Sequence, residues 1–155
     1  MVSGLSCILI TLIWENTVGS KEVKYYRGCA RTCRNHSKAL RSNRQAAIDK
    51  KEKLETAKSK ITSKLSQVSS QKSTLSNLNN VNTGEFSGAR QIKYQGKMSS
   101  ALQKLSTYKT TENQNVTTIN NKIAELESKI ISLTSQINSW DQQALMYDRM
   151  AASSM

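Results

Sequence analysis

Apolar side chains return every seven residues along most of this chain. Leu40, Ala47, Leu54, Ile61, Val68 and Leu75 hold one phase without a miss. A neighbouring stripe is thinner: Ala57, Leu65 and Leu78 contribute, whereas Lys50, Lys64 and Gln71 do not. One continuous helix to about Asn79 is the economical reading, with a narrow apolar face. The second half carries a fuller pattern. Met98, Leu105, Ile119, Leu126, Leu133, Trp140 and Tyr147 share one phase, interrupted by Glu112. Leu102, Val116, Ile123, Ile130, Ile137 and Ala144 share the other, interrupted by Lys109. From Val116 to Tyr147 the spacing alternates three and four, as in a coiled-coil seam.

Between the two patterns lies Asn79-Asn80-Val81-Asn82-Thr83-Gly84, the clearest breaker in the sequence. Asn and Gly accept the backbone conformations that end helices. The fold class expected is therefore all-α, a long antiparallel helical hairpin or coiled coil with its turn at 80–88. The polar, Thr-rich residues 106–115 allow a break in the second arm, although the seven-residue phase favours continuity. A helix over 40–79 would be roughly 60 Å long and one over 89–148 roughly 90 Å. Extending the first helix back to about Lys21 nearly equalises the arms. The domain reading is an apolar segment at 1–20, one helical-hairpin domain at 21–150 and a tail at 151–155. The seam of Ile119, Ile123, Leu126, Ile130, Leu133, Ile137 and Trp140 is expected to pack on the Leu40 to Ile61 stripe and to lie partly at an interface. An Ile130→Asp change should then abolish partner binding or folding.

Composition agrees with long helices. The 155 residues include no Pro and 6 Gly, and aromatics make up 5%. That is too few aromatics for a β-sandwich or a thick globular core. The net charge of +12 is unevenly placed: residues 21–60 carry 13 Lys/Arg against 4 Asp/Glu, and residues 111–155 carry 3 against 5. Such an excess can attract an acidic partner, nucleic acid or an anionic membrane. No base-stacking aromatic set accompanies it, so nucleic acid is not the expected partner. Membrane association stays open.

The segment Gly4 to Trp14 is apolar but, at about 11 residues, is shorter than the roughly 20 a spanning helix needs. Its length is that of a signal-peptide core, yet no basic residue precedes it, and Val18-Gly19-Ser20 only approximates a cleavage site. A signal, a peripheral helix and a start placed too far upstream all remain open.

Little in the sequence supports catalysis. There is one His, no Gly-rich phosphate loop and no Ser-His-Asp set. Glu125 and Glu127 are two apart and do not share a helix face. Cys29, Cys33 and His36 would share a face and could contact zinc, but a fourth ligand is missing, so two semi-buried thiols and a surface imidazole are expected instead. With Cys7 the cysteine count is odd, which argues against a disulfide scaffold. No enzyme activity, cofactor or metal is expected. Asn35-His-Ser37 and Asn115-Val-Thr117 are formal glycosylation sequons in a chain rich in these residues. Trp140, Met146, Tyr147 and Met150 make an apolar C-terminal end, readable equally as core or as an exposed anchor.

Phe86-Ser87-Gly88 at the expected turn is similar to the Trp-x-Gly turn of small type VII secretion proteins, with Phe in place of Trp. The order continues with Tyr94 and the closing stretch Ile119 to Ile137. Over residues 38–148 the chain resembles the YwqH-like family of small helical proteins found beside LXG-type toxins in bacterial type VII secretion loci. The resemblance implies a turn motif at Phe86 and Gly88. It also implies a helical adaptor that binds the helical N-terminal domain of an LXG-type toxin. Its place would be the bacterial cytoplasm before export, with secretion or surface association open. Tyr108-Lys-Thr-Thr-Glu112 matches that system's Tyr-x-x-x-Asp/Glu export pattern but lies inside the second arm, so no export role is carried over. Two other readings of the residues stand beside the adaptor. One is a self-associating structural coiled coil, a homo-oligomer; the other is a basic helical binder of nucleic acid or a membrane surface.

Overall fold

A computed structural model describes the backbone of residues 4–81 and 88–155 and the side chains of 19–78 and 88–155. Helix α1 spans Gly4–Val81 and helix α2 spans Ala89–Ser153. They pack against each other as an all-α hairpin. The chain divides into two compact units, a terminal unit of Met1–Ile48 with Ser128–Met155 and a middle unit of Asp49–Glu127.

In the terminal unit the seam of α1 is Val23, Tyr26, Ala30, Cys33, Ser37, Leu40 and Ala47, every one buried or half-buried. The spacing alternates three and four, which is the heptad repeat written with small side chains. Across from it, α2 presents Ile130, Leu133, Ile137, Trp140, Ala144, Tyr147 and Ala151 in the same alternation. Ala30 is 0% exposed and Ile137 1%. Alanines on both helices let the backbones approach closely. At Gly19 a Cβ would lie 3.0 Å from the Ser154 carbonyl oxygen, so this glycine of α1 admits the end of α2.

In the middle unit the α1 seam reads Lys51, Leu54, Lys58, Ile61, Leu65, Val68, Lys72 and Leu75. Its α2 side reads Met98, Leu102, Leu105, Glu112, Val116, Ile119, Ile123 and Leu126. Of these, Leu65 and Leu126 are buried and the rest half-buried. Lys51 Nζ meets Glu127 at 2.8 Å and Lys72 Nζ donates to the Ser106 hydroxyl at 2.6 Å. Each partner moves 21 residues between these contacts, in opposite directions. The antiparallel register therefore holds without a slip for three heptads.

Three expectations are corrected. The break allowed at 106–115 does not occur, because α2 is continuous through it. Thr107 and Thr110 donate their hydroxyls to the carbonyls of Gln103 and Ser106 one turn back. Thr117 and Thr118 do the same to Asn113 and Gln114. The polar stretch thus satisfies itself within the helix. Second, α1 begins at Gly4 rather than near residue 21 or 40, so residues 4–20 are continuous with the hairpin. Third, the thinner stripe of α1 includes Leu65 as expected but not Leu78, which is exposed, and it continues through basic residues instead. Lys50, Lys64 and Gln71 are exposed, while Arg44, Lys51, Lys58 and Lys72 are half-buried beside Leu65.

Candidate interaction surfaces

The seven seam residues expected at an interface occupy the hairpin's own core. Leu126, Leu133 and Ile137 are buried, and Ile119, Ile123, Ile130 and Trp140 half-buried. They are used in packing α2 on α1. Of the turn motif, Phe86 lies outside the described residues. Gly88 has φ 114°, a conformation only glycine adopts readily. Its carbonyl accepts from the amides of Gln91 at 3.1 Å and Ile92 at 3.3 Å, so it caps the start of α2.

One flank of the terminal seam carries a ladder. Arg34 pairs with Asp148, and Arg41 pairs with Asp141 at 2.5 Å. A further heptad out, the Arg27 guanidinium approaches the Met155 sulfur at 3.8 Å. Ser37, a buried polar side chain, donates to Asp141 at 2.6 Å and accepts from Arg41 Nε at 3.3 Å. Asp141 therefore satisfies a hydroxyl that would otherwise be stranded. The ion pairs themselves are half exposed and contribute about 0–1 kcal/mol each. Their geometry fixes register more than stability. The signal was present in the sequence as two arginines and two aspartates, each pair seven apart.

The other flank is an open groove of about 470 Å³, lined among others by Tyr25, Cys29, Cys33, Trp140 and Tyr147. His36 stacks on Trp140 with ring centroids 4.6 Å apart, and Tyr26 stacks on Tyr147 at 6.4 Å. The imidazole thus belongs to an aromatic pair. Cys33 is buried and Cys29 half-buried, both as free thiols. Among the described residues no group of three or more His, Cys, Asp or Glu could hold a metal ion. The Tyr25 hydroxyl is hydrogen-bonded to Cys29, which raises its pKa above the ordinary value.

The outer surface of α2 exposes large apolar side chains that the core does not use. Ile131 is 72% exposed, Leu145 49%, Met146 44% and Met150 38%. Within the apolar C-terminal end, Trp140 and Tyr147 are therefore core and Met146 and Met150 surface. Tyr108 and Asn115 are exposed, as is Asn35. Glu112, half-buried on the seam, accepts from Asn115 at 3.3 Å. Among the described residues no helix is long and apolar enough to cross a membrane. No protein-family model matches the chain, and no curated protein matches it in sequence.

Proposed function

We propose that this protein is a non-enzymatic helical adaptor of a type VII secretion locus that binds the helical N-terminal domain of an LXG-type toxin. The reading rests on the resemblance carried by Phe86, Gly88 and the Ile119 to Ile137 stretch. Its physical support is one observation: Ile131, Leu145, Met146 and Met150 stay exposed on α2 while the seam is filled from within. Aromatic residues and Met are enriched in interface cores, and exposed Leu145, Met146 and Met150 near the end of one helix suit a helical partner. The partner-facing surface is then the outside of α2, and the seam is its support.

Size-exclusion chromatography with light scattering tests this, using the chain alone and with an LXG-type helical domain. A defined hetero-complex is expected, weakened by Leu145→Asp with helicity retained. Ile137→Asp should instead unfold the hairpin. A homo-oligomer that ignores the toxin domain would favour the self-associating coiled coil.

A further inference from the structure

We infer that the first helix docks on an anionic membrane surface, through a basic ridge together with the apolar run that precedes it. From Val23 to Ile48 the sequence has seven basic residues and no acidic one. Six of them, Lys24, Arg27, Arg31, Arg34, Lys38 and Arg41, follow one another at spacings of three and four, and all are exposed. That alternation places them on one side of α1, along roughly 25 Å of helix. Arg34 and Arg41 spend part of their charge on Asp148 and Asp141. Lys24, Arg31 and Lys38 form the outer row of the ridge, one heptad apart, and no ion pair of the described residues engages them.

The apolar run Leu5 to Trp14 stands upstream on the same helix, which is unbroken from Gly4 through the ridge. It is too short to span a bilayer, and its apolar side chains suit insertion at the interface beside a basic segment. Trp14, at its end, and Tyr25, 66% exposed beside Lys24, are residue types that settle at headgroup level. An apolar insertion and a polybasic patch are the two signals that together give stable membrane attachment. The apolar run also separates this occupant from a nucleic acid, whose phosphates would use the ridge and leave Leu5 to Trp14 without a role. This inference is independent of the adaptor reading, since it uses α1 rather than the outside of α2.

The test is co-sedimentation of the full chain with phosphatidylcholine vesicles, with and without phosphatidylglycerol. Binding is expected only when the anionic lipid is present, and it should weaken as salt is raised. Reversing the outer row with Lys24→Glu, Arg31→Glu and Lys38→Glu should weaken it ~100-fold. All three side chains are exposed, so helicity by circular dichroism should be unchanged. Leu9→Ser with Ile13→Ser should also weaken binding while leaving it salt-dependent. Equal binding to both vesicle types, or undiminished binding by the charge-reversed chain, would overturn the inference. So would tighter binding to duplex DNA than to the anionic vesicles at the same salt.

Discussion

The two units use one heptad repeat in different ways. In the terminal unit nine side chains are buried, Val23, Ala30, Cys33, Ser37, Ala47, Leu133, Ile137, Ala144 and Ala151, whereas in the middle unit only Leu65 and Leu126 are, among the described residues. Small residues at the terminal seam let the helices close. In the middle unit Lys51, Lys58 and Lys72 sit half-buried at seam positions, where a lysine can cover apolar surface with its methylene stem but fills the seam less completely than an apolar side chain. Unbroken periodicity therefore does not mean uniform packing. The chemistry at every second seam position decides how tightly a hairpin shuts.

The largest effect is expected from Ile137→Ala, at about 3 kcal/mol, because it opens a cavity where packing is tightest. Leu65→Ala in the middle unit should cost less, since its neighbours on the seam are half-buried and can relax. Chemical denaturation monitored by circular dichroism compares the two, and equal losses would break the distinction. Next is Asp141→Ala, expected to cost about 1–2 kcal/mol by leaving the Ser37 hydroxyl buried without its acceptor. Adding Ser37→Ala should recover part of that loss.

Lys58→Leu sharpens the comparison from the other side. It replaces a seam cation with an apolar side chain and should stabilise the chain by about 1 kcal/mol. A destabilised variant would mean that the half-buried lysine is doing more than filling its position. The smallest effect concerns pH. The Lys51 ammonium donates to Glu127, which raises its pKa above the ordinary 10.5. Its contribution is complete below the unfolded-state value and is lost as pH climbs through the folded one. Stability should therefore fall above about pH 10.5, and Lys51→Met should flatten that part of the fall.

Much of the hairpin was legible from apolar spacing, because α2 writes its seam in Leu, Ile and Val. The first seventeen residues of the seam on α1 were harder to read. Ala30, Cys33 and Ser37 are buried, but they are small or polar, and no count of large apolar residues finds them. The second stripe has the complementary cause: Arg44, Lys51, Lys58 and Lys72 read as solvent positions, yet each is half-buried. The polar stretch at 106–115 left a break open, although the heptad phase favoured continuity, because the backward hydrogen bonds of its threonines carry no hydrophobic signal. As for the candidate surfaces, the seam residues were found and their packing on the first helix was expected, but a share in an outer interface was expected of them as well. Periodicity shows that a stripe is covered, not whether the same chain covers it. Phe86, which the turn motif depends on, lies outside the described residues.

The central claim is that this seam closes within one chain, so that the outside of α2 is the surface proposed for a partner. Hydrogen exchange with mass spectrometry on the dilute, isolated protein tests it most directly. The account expects the slowest amides at 130–151 and 23–47, with faster exchange across 49–127. Fast exchange throughout 119–140 that slows only when a second chain is added would contradict it, because the seam would then be an interface waiting to be filled.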